Sequence, residues 1–242
     1  VEQYDLIVND FEPITSWACK KKEIKCVGLS HQSAFLSKKT PRPKIVDPFG
    51  EWILHNYAPV DKYVGFHFEE YDKNIYTPVI RRAIREARTA DHGHYTVYLP
   101  AYDDKKLVKL LLKFTKVKWH IFSKHATSPY SVGRISVYPV SGSDFVDSIV
   151  TSTGVLCGAG FETPAEVLHM NKKLLVVPMK SQYEQHCNAA ALKKLGVPVL
   201  KKVKKKTLWK IEEWLDEKNK LDISFPDIAG KAVERMIEKF GK

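Results

Sequence analysis

Long hydrophobic runs are absent from the sequence. No apolar stretch approaches the roughly 20 residues that a membrane-spanning helix needs, and the first residues have neither the basic start nor the apolar core of a signal peptide. Proline and glycine are not enriched, and no segment is of low complexity. These absences argue against a membrane-spanning protein and against a disordered chain, and they favour one or two globular domains.

Cysteine is scarce, with four residues in 242, and no two of them form a CxxC pair. Closely spaced pairs are the usual mark of a structural zinc site or a redox motif. Cys157 lies within an apolar, strand-like run. We therefore expect reduced, buried thiols in a cytosolic protein, with disulfides or a metal site as the alternative. No metal is expected.

Several catalytic motifs are also missing. The sequence has no GxxxxGK[ST] phosphate loop, no HExxH zinc motif and no GxSxG nucleophile elbow. Gly158 and Gly160 do not extend to GxGxxG, because position 163 is threonine. These absences exclude a P-loop enzyme and argue against zinc peptidases, α/β-hydrolases and NAD-binding dehydrogenases.

Positive charge is in excess. The 39 Lys and Arg residues oppose 28 Asp and Glu residues, which gives a formal net charge of +11. This charge would attract nucleic acids, anionic lipids and phosphorylated small molecules alike. Much of it lies in the runs 20–22 and 201–206, which lack the interleaved aromatic residues typical of single-stranded nucleic-acid binding. We expect solvated lysine faces and no nucleic acid partner.

Between residues 75 and 205, short apolar runs alternate with amphipathic stretches. This alternation predicts an α/β domain, a doubly wound parallel sheet with helices on both faces. The predicted strands are 94–100, 117–122, 134–140, 154–158, 173–179 and 197–200. The predicted helices are 77–88, 103–114, 143–152, 163–169 and 181–195, then 207–217 and 226–240, with Thr77, Thr163 and Ser181 as N-caps and Pro226 at a helix start.

The first part of the chain is less regular. Residues 4–10 and 24–30 are predicted strands around a short helix at 12–22, and residues 65–74 have the pattern of a linker. Two strands do not make a stable parallel sheet. We therefore expect an incomplete N-terminal Rossmann-like domain, on the order of 80–100 residues short of the usual domain size.

The expected domain limits follow from these two patterns. Residues 1–70 form the partial N-terminal domain, and residues 71–225 form the C-terminal domain. Residues 226–242 form a last helix that could pack back on the first domain. Because the chain does not begin with Met, we expect that it is part of a longer chain or that a segment was removed.

Parallel sheets bind ligands beyond the carboxyl ends of their strands. Gly158, Ala159 and Gly160 follow one predicted strand and open a helix, whose free N–H groups and dipole favour an anion. Lys124 and His125 follow another strand at the same edge. Together these residues predict a phosphate site.

Each feature of this edge also has a purely structural explanation. The two glycines could serve a tight turn that needs positive φ. TPAE (163–166) and SQYE (181–184) fit the capping box, in which the glutamate folds back on its own helix start. Glu166 could do this and hold a sugar diol as well, because a carboxylate accepts several hydrogen bonds. Gln182 and Gln185 could be surface residues or amide ligands.

The segment 158–200, which begins GAGFETPAEV, resembles the donor-binding region of GT-B glycosyltransferases, which have two facing Rossmann-like domains. Similar families are the cell-wall transferases that add GlcNAc to a lipid-linked muramyl peptide, and a group of bacterial and archaeal glycosyltransferases. The resemblance to that second group also covers DFEP (10–13), SHQS (30–33), GFHFEEYD (65–72) and FSKH (122–125). It implies a GT-B-like fold and sugar transfer from a nucleoside-diphosphate donor, UDP by preference, to an acceptor hydroxyl.

The resemblance also implies roles for the matching residues. Residues 158–160 let the backbone approach the donor diphosphate or sugar, and Glu166 matches the acid that holds the ribose hydroxyls. Gln182 and Gln185 match glutamines that contact the donor sugar and phosphate. Phe145 matches the loop that meets the nucleotide base, with a core aromatic as the alternative. The full donor set is Lys124, His125, Phe145, Gly158, Ala159, Gly160, Phe161, Thr163, Glu166, Gln182 and Gln185.

The implied reaction inverts the anomeric carbon. A general base deprotonates the acceptor hydroxyl, which attacks as the diphosphate leaves. Helix N-termini and Lys124 would stabilise the leaving group without an obligatory metal. The base comes from the first domain, where Asp10, Glu12 and His31 follow strand ends and are the candidates. Each could instead be a turn, cap or loop residue.

Two other functions stay open at this point. One is a nucleotide-sugar 2-epimerase on the same fold, and the other is a non-catalytic binder of nucleotides or anionic surfaces. No cofactor is expected, because the nucleotide-sugar is a substrate. The acceptor is unknown, and a lipid-linked or cell-surface glycan precursor would suit the positive charge. We expect a cytoplasmic protein with peripheral contact at the inner membrane face.

Overall fold

A computed structural model describes residues 4–140, 142–217 and 221–241. The chain divides into two compact units. Unit 1 contains the chain up to Val79, the segment Gln182–Ala191 and the chain from Phe225 onward, and unit 2 contains Ile80–Ser181 and Leu192–Ser224. The domain limits predicted from the sequence, after residues 70 and 225, stay predictions.

Unit 1 is built on a four-stranded parallel sheet whose strands lie side by side in chain order. The helix predicted after the first strand is confirmed as α1 (Pro13–Lys21). The two predicted strands are confirmed as β1 and β2. The four strands are β1 (Ile7–Asn9), β2 (Cys26–Ser30), β3 (Lys62–Phe66) and β4 (Ile75–Tyr76).

The sequence pattern did not predict β3 and β4. The linker expected at 65–74 is wrong, because β3 runs into this segment and the residues that follow it, His67 and Phe68, are buried. A Cβ atom at Gly65 would lie 2.6 Å from the backbone of Ala34, so this glycine permits close packing and is not a mark of flexibility. β4 has only two residues, too few to show a periodicity.

A further helix, α2 (Pro48–Asn56), lies between β2 and β3 in a proline-rich segment. Asp47 caps it by accepting a hydrogen bond from the Phe49 N–H at 3.1 Å. Pro48 occupies the first helical position, where its missing N–H costs nothing. Because crossovers between neighbouring parallel strands are right-handed, α1 and α2 lie on the same face of the sheet.

Unit 2 contains a six-stranded sheet in the order β10-β9-β5-β6-β8-β7. Neighbouring strands are parallel except β7 and β8, which form a hairpin around Gly133 at φ 59°. Five predicted strands are confirmed, but 197–200 forms only a single bridge, from Val199 to Val176. Pro198 has no N–H to extend a ladder there. The strands are β5 (His94–Tyr98), β6 (Lys118–Ser123), β7 (Tyr130–Val132), β8 (Ile135–Pro139), β9 (Gly154–Gly158) and β10 (Lys173–Val177).

Helices cover both faces of this sheet. Trp119 and Ile121 of β6 pack with the apolar side chains of α4 and α8, whereas His120 between them contacts Ser148 of α5. Alternate residues of one strand thus meet different helices, as a doubly wound sheet requires. The helices are α3 (Arg82–Arg85), α4 (Asp104–Leu111), α5 (Gly142–Thr151), α6 (Glu162–His169), α7 (Tyr183–Lys194), whose residues up to Ala191 belong to unit 1, and α8 (Leu208–Asp216).

The helix predicted at 77–88 is wrong in its extent, because only the four residues of α3 are helical. Thr77 does not cap it, since the residue directly before α3 is Arg81, with an extended ψ of 141°. The Arg81 side chain is bound to Glu166, which is 85 positions away in the sequence. A local pattern cannot show such a contact.

The last helix, α9 (Ala229–Phe240), belongs to unit 1 and starts at Ala229 and not at Pro226. Its Met236 and Phe240 side chains are buried against Val27 of β2 and Val64 of β3. Within the described ranges, every helix is too short or too polar to cross a lipid bilayer.

Candidate functional site

Helix α6 starts at the carboxyl edge of the unit 2 sheet, directly after β9 and the small residues 158–160. Its first residue is Glu162 and its N-cap is Phe161, so Thr163 is not the cap and the predicted TPAE capping box is wrong. The Phe161 side chain has no oxygen to accept from the first N–H groups. The helix start therefore offers an anion its N–H groups and the positive end of its dipole.

The two glycines before α6 are not explained by a tight turn. Neither Gly158 nor Gly160 has the positive φ that this explanation requires. A Cβ atom at Gly160 would meet no heavy atom within 4 Å, although Ala159 beside it is fully buried. Gly160 therefore borders open space directly before the helix, where a ligand group can lie against the backbone.

Glu166, predicted to bind ribose, is buried in unit 2 and is 2% exposed. Its carboxylate accepts from two nitrogens of Arg81, with Nη2 to Oε2 at 2.8 Å and Nε to Oε1. The Arg81 side chain is 51% exposed. The bond to Glu166 raises the pKa of Arg81, and the charge of Glu162 in the first turn of α6 adds to this effect. Arg81 thus lies near the helix start, although no sequence motif marks it.

Lys124 and His125 follow β6 at the same edge of the sheet, and both are exposed. The backbone N–H of His125 donates to Ser123 Oγ at 3.0 Å, which fixes the turn at the strand end. β6 is two strands away from β9, a separation of about 10 Å. Both residues therefore lie at the predicted edge, on the far side of β5 from Gly160.

Phe145 stands in the first half of α5 and packs on two other aromatic rings. Its ring centroid is 5.1 Å from that of Tyr98 and 5.2 Å from that of Phe122. These two residues end, or nearly end, β5 and β6, so the aromatic group lies at the carboxyl edge. A cavity of about 650 Å³ runs along α5 beside it and is lined in part by Phe122, Tyr138 and Asp144. Its volume is typical of small-molecule sites.

The far wall of this cavity contains the stacked imidazoles of His94 and His120, whose ring centroids are 3.9 Å apart. Burial and the neighbouring His94 lower the pKa of His120 to about 4, and burial also lowers the pKa of His94. Ser148 Oγ lies 3.3 Å from a nitrogen of each ring. The pair is therefore neutral at pH 7 and adds no positive charge to the edge.

Gln182 and Gln185 belong to unit 1, with the first part of α7. α7 starts at Tyr183, so the predicted capping box at Ser181 is wrong. The Glu184 carboxylate instead accepts from Gln32 Nε2 at 3.1 Å. Gln185 is nearly buried, and its Nε2 donates to Gln182 Oε1 at 2.7 Å, so the two amides are held together.

Asp10 and Glu12 stand in a tight turn at the carboxyl end of β1. Asn9 Nδ2 donates to the Glu12 carbonyl at 2.8 Å, and the Glu12 N–H donates to Asn9 Oδ1 at 2.9 Å. Phe11, between the two acids, has φ 51°, a left-handed conformation that is rare for a bulky residue and costs energy. The turn leaves the Asp10 side chain exposed.

Glu12 caps α1. Its two carboxylate oxygens accept from the Ile14 and Thr15 N–H groups, each at 2.7 Å. The bonds from Thr15 and Ile14 lower the pKa of this carboxyl. A carboxylate stabilised in its charged form is a weak base.

His31 is buried in unit 1. Its Nδ1 lies 2.8 Å from the Phe66 carbonyl oxygen, and its Nε2 lies 2.9 Å from Asn188 Oδ1 and 3.6 Å from Glu184 Oε1. Both ring nitrogens are therefore held by neighbouring oxygens within the unit. Within the described ranges, no group of three or more His, Cys, Asp or Glu residues could hold a metal ion.

Residues 2–217 match the sequence family described as glycosyl transferase family 1. The chain belongs to this family. It is a glycosyltransferase. This confirms the enzyme class and the family that segment 158–200 implied. No curated protein matches the chain in sequence.

Solved structures show the fold of this family 1 glycosyltransferase. MurG of Acinetobacter baumannii is 15% identical with a TM-score of 0.59, over 97% of this chain and 73% of MurG. A UDP-glucosyltransferase from Polygonum tinctorium that glucosylates indoxyl is 14% identical with a TM-score of 0.57, over 97% of this chain and 69% of that enzyme. LpCGTa, solved with UDP, is 12% identical with a TM-score of 0.58, over 98% of this chain and 71% of LpCGTa. The predicted GT-B fold is confirmed.

Proposed function

We propose that this glycosyltransferase moves a sugar from a UDP-linked donor to an acceptor hydroxyl, with inversion and without a metal ion. The observation that carries the proposal is the start of α6, where Gly160 borders open space before a helix whose N-cap residue, Phe161, has no side-chain oxygen. UDP is favoured because LpCGTa was solved with UDP and the Polygonum tinctorium enzyme is a UDP-glucosyltransferase.

In this proposal the donor diphosphate lies at the N-terminus of α6, against Gly160. The N–H groups of the helix and the guanidinium of Arg81 meet its charge. In the structure the Glu166 carboxylate is buried and bonded to Arg81. In the proposal the half-exposed Arg81 side chain moves to the diphosphate, and Glu166 then accepts the two hydroxyls of the ribose.

Among the three candidate bases, the structure favours Asp10. Both oxygens of Glu12 are occupied by backbone N–H groups, and both nitrogens of His31 are held by oxygens of unit 1. Asp10 is exposed at the carboxyl end of β1, in a turn that two hydrogen bonds between Asn9 and Glu12 hold together. We therefore assign Asp10 as the general base.

In the proposed chemical step, the sugar passes from the phosphate oxygen of UDP to the oxygen of the acceptor. The acceptor hydroxyl gives its proton to Asp10, and its oxygen forms a bond to the anomeric carbon. The bond from that carbon to the phosphate oxygen breaks on the opposite side, and UDP leaves with the electron pair. The α6 dipole, Arg81 and Lys124 stabilise the negative charge that develops on the diphosphate. In the proposal these groups supply the positive charge that a divalent cation could otherwise provide.

The donor site is tested by two glutamates of α6. In Glu166→Ala, UDP should bind at least about tenfold more weakly, a loss of about 1.4 kcal/mol, because the ribose loses its acceptor. Glu162→Ala removes an exposed carboxylate one turn earlier in the same helix and should bind UDP at least as tightly as the native enzyme does, because this carboxylate repels the diphosphate. Isothermal titration calorimetry measures both, and melting curves without UDP confirm that both variants are folded. Equal UDP affinity in the native protein and both variants would remove Glu166 from the site.

A further inference from the structure

Large apolar side chains are exposed on α1, on α2 and in the loop before α2. Their exposed fractions range from 46% for Tyr57 to 89% for Ile45. Monomeric proteins rarely leave so many large apolar groups together in water unless the surface binds something. This surface, called the aromatic face below, consists of Ile14, Trp17, Ile45, Val46, Phe49, Trp52 and Tyr57.

The aromatic face is continuous across the two helices. Trp17 Nε1 of α1 donates to the carbonyl oxygen of Tyr57, the residue directly after α2, at 3.2 Å. Phe49 and Trp52 are three positions apart on α2, and their rings stack with centroids 6.2 Å apart and planes 7° apart. Ile14 and Trp17 have the same spacing on α1, which puts them on one side of that helix. α1 and α2 share one face of the sheet, so their outer sides form one surface.

Lysines border the aromatic face. Lys20 Nζ lies 4.9 Å from the centroid of the Trp17 ring. Lys21, one turn after Trp17, is exposed, and so is Lys44, directly before Ile45. Tryptophan and tyrosine with adjacent lysines are the usual composition of surfaces that rest in the interface of a bilayer. The rings enter the boundary between headgroups and acyl chains, and the ammonium groups remain among the phosphates.

We propose that the aromatic face is a docking surface for an anionic lipid bilayer. The charge distinguishes this occupant from a second copy of the chain. A symmetric contact between two copies would bring Lys20, Lys21 and Lys44 of both together, and lysine is depleted in such interfaces. An anionic bilayer instead supplies the opposite charge over the whole surface. The inference does not depend on the donor or the base proposed above.

Sedimentation with vesicles tests the proposal on the full chain. The protein should bind vesicles of phosphatidylcholine with phosphatidylglycerol and bind those of phosphatidylcholine alone far more weakly. The double variant Phe49→Ser with Trp52→Ser should reduce the partition coefficient at least about tenfold, because the apolar contact is lost. The double variant Lys20→Glu with Lys21→Glu should reduce it to a similar degree through charge. All four positions are exposed, so both variants should fold, and Phe49→Ser with Trp52→Ser should keep the native melting temperature. Lys20→Glu with Lys21→Glu should lower it slightly, because both lysines lie in the last turn of α1.

Unit 2 offers matched controls. Trp209 is 58% exposed, as Trp52 is, and Lys210 Nζ lies 5.2 Å from its ring, so it repeats the local chemistry of Trp17 and Lys20. Two control variants should bind vesicles as the native protein does. One is Trp209→Ser, and the other is the double variant Lys205→Glu with Lys206→Glu. Equal losses from these controls, or no binding to anionic vesicles, would overturn the proposal. So would a dimer in solution that Phe49→Ser with Trp52→Ser dissociates, because the occupant would then be a second copy.

Discussion

Replacing Asp10 by asparagine is expected to lower kcat by about 100- to 10,000-fold, the usual contribution of a general base. The amide has the shape of the carboxylate but cannot take the proton of the acceptor hydroxyl. KM for the donor should change little, because Asp10 belongs to unit 1 and the proposed nucleotide contacts of 158–166 belong to unit 2. Release of UDP, followed in a coupled assay, measures both constants.

The control for this variant lies two residues away. Glu12→Gln removes the carboxylate that caps α1 and should lower the melting temperature while most of kcat remains. Asp10→Asn should show the opposite pattern, a native melting temperature and a lost kcat, because Asp10 is exposed. If Glu12→Gln lost turnover and Asp10→Asn retained it, the base would have been assigned to the wrong carboxylate.

Replacing Gly160 by leucine is expected to weaken UDP binding at least about 100-fold, or about 2.7 kcal/mol. The side chain would fill the space before α6 in which we place the diphosphate. The protein should still fold, because a Cβ atom at Gly160 meets nothing within 4 Å and its φ is not positive. Calorimetry with UDP gives the affinity, and a thermal melt gives the stability.

Gly230 provides the matched substitution. A Cβ atom there also meets nothing within 4 Å, but Gly230 lies in α9 of unit 1. Gly230→Leu should leave the UDP affinity at the native value and the melting temperature at or slightly above it, because leucine favours a helix more than glycine does. A Gly160→Leu variant that binds UDP as tightly as Gly230→Leu does would show that the diphosphate lies elsewhere.

Much of the unit 2 sheet could be predicted from the sequence, because its strands are buried on both sides and read as continuous apolar runs. β10 is an example, with all five of its residues buried. The strand ends then indicated the carboxyl edge, and with it residues 124, 125 and 158–160. In unit 1 the same reasoning failed at β3, which is partly exposed, and at β4, which has only two residues. A hydrophobic period can be recognised only over several residues whose burial follows one pattern.

The details of the site could not be predicted for a different reason. TPAE has the spacing of a capping box, yet Glu166 is turned away from its own helix start by a bidentate bond to Arg81. This pair joins two charged groups through two hydrogen bonds, whereas the cap would give the carboxylate one bond from a neutral N–H. Glu184 likewise contacts Gln32 and His31, both distant in the sequence. Side chains with several possible partners are assigned by tertiary structure, which a local motif does not contain.

The same limit applies to the catalytic base. Asp10, Glu12 and His31 all follow strand ends, and nothing in their spacing separates them. Only the hydrogen bonds show that Glu12 is a cap and that His31 is held on both nitrogens. Arg81 is the reverse case, a residue without a motif that the fold brings to the start of α6.

The most direct test of the account is the change in melting temperature of the native protein with a panel of nucleoside diphosphates. The diphosphates of uridine, thymidine, guanosine and adenosine are compared at one concentration, because a ligand that binds the folded state raises its stability. We predict that UDP produces the largest rise and that UDP-sugars produce a similar one. A melting temperature that no nucleoside diphosphate or nucleotide-sugar raises would contradict the donor site at α6.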